Sequence, residues 1–221
     1  MSKGRRKSGK HAAQQFRVTT DDIRGYAEDV DRFGLMQASL NLAYDSAIIK
    51  TTVAFEKLML ESLIVTLNND STPFSKSTGV DFPKHIKQDH CEYLVTAGGY
   101  FDYSGRSGLL GEIKRFSGGP THWLYDSVSK EAYYHPLELL LALRNFAAHE
   151  SPQAKKKMKS AIFCWTHNVK SVKGDAAREA LFAKAYAPSS AGSWLRRQGR
   201  FEKILDSLDD LAHDMEAGAP F

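Results

Sequence analysis

The sequence has few cysteines and no long apolar run, and each shortage excludes a class of protein. It contains two cysteines, Cys91 and Cys164, in 221 residues, so it lacks the disulfide framework of a small secreted domain. Its longest apolar runs have about five residues, whereas roughly 20 are needed to span a bilayer. No apolar stretch follows the basic N-terminal residues, as it would in a secretory signal. We therefore expect a cytoplasmic protein without a membrane segment.

The sequence also lacks the motifs of several enzyme classes. It has no glycine-rich phosphate loop of Walker or Rossmann form and no G-x-S-x-G nucleophile elbow. Three potential zinc ligands, His85, His90 and Cys91, occur near one another, and the other cluster, Cys164 and His167, does not complete the spacing of a four-ligand site. We therefore expect neither a metal nor a cofactor.

The positive charge is concentrated at the N-terminus. The formal net charge is +4, and five basic residues without an acid lie among the first ten residues: Lys3, Arg5, Arg6, Lys7 and Lys10. Residues 1–18 are therefore predicted to be a flexible basic arm. Such an arm either attracts nucleic-acid phosphates or only keeps the chain solvated, and composition does not decide between the two.

Apolar residues recur at helical spacing through the rest of the chain, which predicts an all-α fold. A helical domain is expected over residues 19–187, followed by an amphipathic C-terminal helix within residues 188–221 that packs on the domain or on a dimer interface. The predicted helices cover residues 20–32, 35–68, 84–97, 109–116, 136–150, 154–170 and 175–186. The stripe of the last helix comprises Phe201, Ile204, Leu205, Leu208, Leu211, Ala212 and Met215.

Three polar residues, Arg144, Asn145 and His149, lie near the end of the leucine-rich helix predicted over residues 136–150. Burying a charged side chain there without a partner would destabilise the fold by several kcal/mol. These side chains must therefore be paired, lie at an interface or serve a site. The plain structural interpretation is that Arg144 pairs with an acid such as Glu56 or Glu138.

The Arg-x4-His spacing alone is weak evidence, since about 0.4 such pairs are expected by chance from 12 arginines and 8 histidines. Two other pairs have a comparable spacing, Arg6 with His11 in the basic arm and Arg115 with His122 across a Gly-Gly-Pro loop, and neither pair is expected to lie on a helix. Arg144 and His149 differ because an apolar helix precedes them, a polar residue follows the arginine and Pro152 ends the helix.

The residue types suit metal-free RNA cleavage. That reaction needs a base for the 2′-hydroxyl, an acid for the leaving 5′-oxygen and positive charge near the phosphate. Histidine titrates near neutral pH, and arginine binds two phosphate oxygens with its planar fork. Asn145 shares a helix face with His149, but Arg144 and His149 lie about 140° apart around one helix. Two copies of the chain would bring them together.

The segment resembles the R-x4-6-H motif of the HEPN superfamily, in which a polar residue such as Asn145 usually follows the arginine. The resemblance implies a HEPN-like helical bundle with additional C-terminal helices. It also implies a metal-independent endoribonuclease whose catalytic residues are Arg144, His149 and Asn145. HEPN proteins typically dimerise with their motif helices adjacent, so a homodimer with a composite cleft and a 2′,3′-cyclic phosphate product is expected.

The resemblance covers residues 35–170, including the segments 54–58 and 100–103, and is strongest to the RiboL-PSP-HEPN group. That group is found around toxin–antitoxin and antiviral (phage-defence) systems, which implies RNA as the substrate and an antitoxin or regulatory protein as a further partner. Next to the motif, Lys155, Lys156, Lys157 and Lys159 are candidate RNA-binding residues or a solvated face. Glu150 is a candidate second carboxylate behind the site, or simply solvated.

Two other classes of function remain open. One is a catalytically inactive HEPN-like module that binds RNA or protein and uses the motif helix for dimerisation. The other is an antitoxin-like regulatory subunit. Aromatic Trp194 beside Arg196, Arg197 and Arg200 is a further candidate for stacking on RNA bases.

Overall fold

The computed structural model describes residues 8–181, 186 and 188–220, and every regular element in this part of the chain is helical. The predicted all-α class is therefore confirmed. The α-helices are α1 (Gly9–Arg32), α2 (Gln37–Asn69), α3 (Thr72–Thr78), α4 (Gln88–Thr96), α5 (Arg106–Ser117), α6 (Trp123–Ser129), α7 (Tyr134–His149), α8 (Pro152–His167), α9 (Asp175–Ala180), α10 (Ala191–Leu195) and α11 (Arg200–Gly218), with a 3-10 turn at Glu131–Tyr133. None of the described helices is long and apolar enough to cross a bilayer.

The chain divides into two compact units. The first unit is built from the described parts of Met1–Val18, Ala54–Glu131 and Asp209–Phe221. The second unit is built from Thr19–Val53 and Ala132–Leu208. Three long helices, α1, α2 and α11, contribute residues to both units.

The first helix is longer than predicted. It begins at Gly9, so the expectation of a flexible arm is wrong for residues 9–18. The reason is an apolar stripe in the first turns of α1, where Ala12, Ala13 and Phe16 are buried. In the first unit, the Phe16 ring meets Phe55 edge to face at 6.5 Å between centroids. The remainder of the predicted arm, residues 1–7, lies outside the described residues.

Aromatic contacts organise the first unit. Phe55 meets Tyr103 edge to face at 5.1 Å, and Phe74 on α3 stacks on Phe116 of α5 at 4.9 Å. The short helices α3 and α6 were not predicted, because prolines and glycines at their borders are typical of loops. His122 precedes α6, where its Nδ1 accepts the Leu124 N–H at 3.3 Å.

In the second unit, α7 packs against α8 and also contacts α10. The unit ends with the first half of α11. A capping box of Ser190 and Ser193 begins α10, in a segment that was predicted to be a break. The helix lies directly against α2: a Cβ at Gly192 would be 1.9 Å from the Asn41 carbonyl oxygen. Only glycine fits at position 192 without movement of the α2 backbone.

The C-terminal helix confirms the predicted stripe, since all seven of its apolar residues are buried. In the second unit, Arg24 of α1 forms ion pairs with two acids of α11, Glu202 and, at 3.1 Å, Asp206. In the first unit, Gln14 donates to Glu216 at 2.6 Å. Of the helix predicted over residues 175–186, the structure shows Asp175–Ala180 as α9, and residues 182–185 lie outside the described residues.

Candidate functional site

The motif residues lie on the last turns of α7, as predicted. Helix α7 ends at His149, and Glu150 follows with a left-handed backbone, φ 46° and ψ 17°. Its N–H donates to the Phe146 carbonyl at 3.0 Å, which satisfies one of the last carbonyls of the helix. Ser151 then caps α8 by accepting the Ala154 N–H at 3.2 Å, with Pro152 in the first turn.

Exposure divides α7 into two sides. Four of its five leucines and Phe146 are buried, whereas Arg144 and Asn145 are partly exposed and His149 is exposed. At 3.6 residues per turn, Asn145 lies about 40° from His149 and about 100° from Arg144. The three side chains therefore share the solvent side of α7, with Arg144 and His149 at its two edges and Asn145 between them.

The guanidinium of Arg144 makes one side-chain hydrogen bond among the described residues, from Nη1 to Oδ1 of Asn145 at 2.9 Å. It forms no ion pair with a described carboxylate of its own unit, so the predicted alternative of a pair with Glu138 is wrong. Glu56, the other acid considered, accepts the backbone N–H of Tyr103 at 3.2 Å. Arg144 thus keeps most of its donors available to an anion.

His149 makes no hydrogen bond or ion pair with any described residue. An imidazole that is exposed at a helix end, with no partner in the fold, contributes little to stability there. Its two ring nitrogens are accessible to a substrate or to a second chain. The amide of Asn145, one turn away, lies on the same side of the helix.

Glu150 lies close to a buried acid that the sequence analysis missed. Asp45 of α2 is buried in the second unit, and it accepts the Gly192 N–H at 2.6 Å. Burial raises the pKa of Asp45, the Gly192 N–H partly opposes this, and the negative charge of Glu150 raises the pKa further. The signal in the sequence was an acid among the apolar positions of α2, between Ala43 and Ala47.

The four lysines after the motif lie in the first half of α8. Lys156 and Lys157 are exposed, and Lys155 and Lys159 are partly exposed. No acid lies in the first turn of α8, and Lys155, Lys156 and Lys157 form no ion pair with a described residue. Positive side chains near a helix N-terminus are unfavourable by about 0.3–1 kcal/mol each. The fold therefore gains nothing evident from this cluster of charge.

The second Arg–His pair has a different environment. Arg115 lies in the last turn of α5 and His122 caps α6, so the expectation that this pair lies off the helices is wrong for Arg115. Burial lowers the pKa of His122 to about 4, which keeps its cap nitrogen unprotonated. The Arg115 guanidinium lies over Phe116, 5.1 Å from the ring centroid. Both residues have structural partners. Of the remaining pair, Arg6 lies outside the described residues and His11 lies on α1.

The stacking surface predicted at Trp194 is absent. Trp194 is 2% exposed, its ring meets Trp165 at 5.4 Å, and the Arg200 guanidinium lies 4.7 Å from its ring centroid. Its faces are therefore covered by the protein. The sequence analysis missed both the contact between Trp194 and Arg200 and its burial.

No group of three or more metal-ligating side chains is found in the described part of the chain. Comparisons with protein-family models, curated proteins and solved structures found no match. The site on α7 is therefore interpreted from its own chemistry: a guanidinium, an amide and an imidazole on the solvent side of one helix, next to Lys155, Lys156 and Lys157, which form no ion pair with a described residue.

Proposed function

We propose that the protein is a metal-independent endoribonuclease of HEPN type that acts as a homodimer, in the role of a toxin or phage-defence effector. The observation that carries the proposal is the solvent side of α7, where, among the described residues, Arg144 makes a side-chain hydrogen bond only to Asn145 and His149 makes no hydrogen bond or ion pair. Polar groups without a structural role, on a helix whose opposite side is buried, favour a role in binding or chemistry.

In this proposal a histidine removes the proton of the RNA 2′-hydroxyl, and the 2′-oxygen attacks the adjacent phosphorus. The bond from phosphorus to the 5′-oxygen breaks, and the same histidine, which now carries the proton of the 2′-hydroxyl, protonates that oxygen. The products are a 2′,3′-cyclic phosphate and a 5′-hydroxyl. Arg144 binds the phosphate oxygens and stabilises their charge in the transition state, and Asn145 orients Arg144 through their hydrogen bond.

The homodimer follows from the geometry of one helix. Arg144 and His149 lie about 140° apart around α7, so one chain presents them in diverging directions. Two α7 helices that face each other bring the arginine of one chain towards the histidine of the other. The same divergence favours the second candidate function, an inactive RNA- or protein-binding module, if the chain remains a monomer.

The first test is RNA cleavage in EDTA by the wild type, Arg144→Ala and His149→Ala, with the product ends identified. We expect cyclic phosphates from the wild type and loss of cleavage in both variants, while light scattering shows that the dimers persist. If the wild type does not cleave, or if all three proteins cleave equally, the binding-module function replaces the proposal.

A mixing experiment tests the composite site. Neither Arg144→Ala nor His149→Ala cleaves alone, but a heterodimer of the two holds one intact arginine and one intact histidine on different chains. Random exchange of subunits makes about half of the dimers heterodimers, so cleavage is expected to return on mixing. The double variant Arg144→Ala/His149→Ala, mixed with either single variant, is the matched control and is expected to stay inactive. Failure of the mixed single variants to recover, with exchange verified, would place the two side chains in the same chain's site.

A further inference from the structure

The part of α2 that belongs to the second unit, residues 37–53, is apolar on its solvent side as well as on its buried side. The buried side includes Ala43 and Ile48. The solvent side includes Leu42, which is 67% exposed, and Val53, which is 52% exposed. A helix that is apolar on all sides is normally covered on all sides. This part of α2 therefore lacks a cover on its outward side.

The outward side is a continuous surface. It consists of five residues, which we call the α2 face: Ser39, Leu42, Ser46, Ile49 and Val53. At 3.6 residues per turn they fall within an arc of about 80° and extend over about 21 Å of helix. Four of them are exposed and Ile49 is partly exposed. Directly before the helix, the turn between α1 and α2 adds Phe33 and Met36, which are 78% and 79% exposed.

The α2 face also lacks charge. Within residues 33–53, all of which the structure describes, Asp45 and Lys50 are the only charged residues, and Asp45 is buried. By contrast, the exposed positions of α11 include Lys203 and Asp206. A helix side that contacts only water normally carries such charged residues. The composition of the α2 face therefore favours contact with another apolar surface.

The exposed apolar area is large enough for association. The side chains that contribute most of it lie in the turn and on the α2 face: Phe33, Leu35, Met36, Leu42 and Val53. Together they expose roughly 500–600 Å², the upper end of what a typical monomer leaves uncovered in one patch. A standard protein interface buries about 800 Å² on each partner. These five residues thus supply most of the area that one partner of a stable dimer needs.

The α2 face is complementary to itself in an antiparallel arrangement. Counted from Leu35, its residues follow one another at steps of 4, 3, 4, 3 and 4 positions, which read the same in both directions. Two copies that pair about a point midway between Leu42 and Ser46 place Leu42 opposite Ser46. The same pairing places Ser39 opposite Ile49. Each large side chain then meets a small one, which allows the two helices to pack closely.

The centre of this pairing lies near the end of the motif helix. Asp45 is adjacent to the centre, and the negative charge of Glu150, which directly follows α7, raises its pKa. The end of α7 is therefore close to Asp45 in the same unit. In a symmetric pair of α2 helices both copies of Asp45 lie near the twofold axis, so the ends of both α7 helices, with His149, lie in the same region of the dimer.

We propose that the α2 face binds the α2 face of a second copy of this chain in an antiparallel contact with twofold symmetry. In such a contact the same patch of each subunit is buried, which is what a self-complementary surface permits. The proposal deepens the proposed function and rests on its homodimer, for which it supplies the interface.

The test is sedimentation equilibrium of the full chain without RNA, which measures the dissociation constant of the dimer. Leu42→Glu and Ser46→Glu each place a carboxylate against apolar side chains of the partner, and each is expected to raise that constant at least about a hundredfold. Val53→Glu, at the edge of the interface, is expected to raise it at least about tenfold. Melting temperatures measured at concentrations where the chains are monomeric are expected to stay at the wild-type value, because the replaced side chains are exposed in one chain.

Val80→Glu is the matched control. Val80 is 52% exposed, as Val53 is, but it lies in the first unit. The dissociation constant of this variant is expected to equal that of the wild type.

A mixing experiment tests the antiparallel register. Leu42→Glu and Ser46→Lys are each expected to be monomeric alone, since each places a charge against an apolar surface. In their mixture the carboxylate of one chain lies opposite the ammonium group of the other, so heterodimers are expected to form. Leu42→Glu mixed with Val53→Lys is the control, because these positions do not face each other in the proposed register, and it is expected to stay monomeric.

Four results would overturn the proposal: a monomeric wild type, a dimer that persists in Leu42→Glu, equal dissociation in Val80→Glu, or equal behaviour of the two mixtures. Failure of this interface is distinct from failure of the proposed ribonuclease. RNA cleavage by a dimer that Leu42→Glu does not dissociate would refute the interface and leave the ribonuclease. A wild-type dimer that Leu42→Glu dissociates, but that does not cleave RNA, would refute the ribonuclease and leave the interface.

Discussion

Two Arg–His pairs with similar spacing lie in the described chain, and they differ in what surrounds them. Arg115 is paired with Glu112 at 3.3 Å and lies over aromatic rings, while His122 is half-buried and caps a helix. Among the described residues, Arg144 makes a side-chain hydrogen bond only to its neighbour Asn145, and His149 makes no hydrogen bond or ion pair. The first pair is explained by the fold and the second is not. Environment therefore separates the two pairs, which spacing alone does not.

The largest expected effect is on the rate of RNA cleavage, which we expect to fall in variants of Arg144 and His149 but not in variants of Arg115 and His122. Arg144→Ala and His149→Ala are expected to lose at least about a hundredfold in cleavage rate, since general acid–base and electrostatic contributions have that size. Arg115→Ala and His122→Asn are expected to keep the wild-type rate per folded molecule. Rates measured in EDTA on all four variants, corrected for folded fraction by circular dichroism, check this. Equal losses of cleavage rate at both pairs would show that the environment of a pair does not determine its role in cleavage.

The next effect is on stability as a function of pH. The folded-state pKa of His122 is lowered from 6.5 to about 4 by burial, so between these values the unfolded chain binds a proton that the folded chain does not. The contribution of His122 is complete above pH 6.5 and is lost as the pH falls towards 4, by at most about 3 kcal/mol. Urea unfolding at pH 7 and pH 4.5 measures it. His122→Asn is expected to flatten this dependence, and an unchanged dependence in that variant would assign it to other groups.

A smaller effect concerns the cap itself. His122→Ala removes the acceptor of the Leu124 N–H and leaves a gap, so the free energy of unfolding at pH 7 is expected to fall by about 1–2 kcal/mol. His149→Ala, at an exposed helix end, is expected to stay within about 0.5 kcal/mol of the wild type. Denaturant midpoints compare the two histidines directly. A large loss for His149→Ala would give that residue a structural role and weaken the comparison.

The smallest expected effect concerns the lysines of α8 that follow Arg144 and His149, and it tests whether they contact RNA. In Lys156→Ala/Lys157→Ala, the slope of log affinity for RNA against log salt concentration is expected to fall by about one to two, which corresponds to one or two lost phosphate contacts. The affinity is expected to fall by a similar factor for all RNA sequences. Lys57→Ala is the matched control with an exposed lysine. Fluorescence anisotropy with labelled RNA at several salt concentrations gives the slopes. Identical slopes in the two variants would show that the α8 lysines are only solvated.

Long helices with periodic apolar residues were predictable from the sequence. Short helices, and a helix start that is rich in glycine, serine and lysine, were not. Helix α2 was predicted over residues 35–68 and found at Gln37–Asn69, because its apolar residues recur over many turns. The start of α1 was missed, since glycine, serine and lysine obscured three buried apolar positions. Helices α3 and α6 have seven residues each, which is too short for periodicity to appear. These elements depend on contacts that are distant in sequence.

The candidate site was predictable in position but not in environment. The end of α7 at His149 followed from the apolar run and from Pro152. The partner of Arg144 did not, because a guanidinium can reach acids in many directions and only the folded unit decides among them.

The contact between Asp45 and Gly192 joins residues 147 positions apart, and Gln14 and Glu216 are 202 apart. Each of the two units therefore includes chain from near both ends of the sequence. A ribosome synthesises α7 well before α11, so the motif helix leaves the exit tunnel while the elements that complete its unit are still being made. The unit that holds α7 is thus complete only after α11 has been synthesised, and a prematurely terminated chain that lacks α11 carries Arg144, Asn145 and His149 without the whole of that unit.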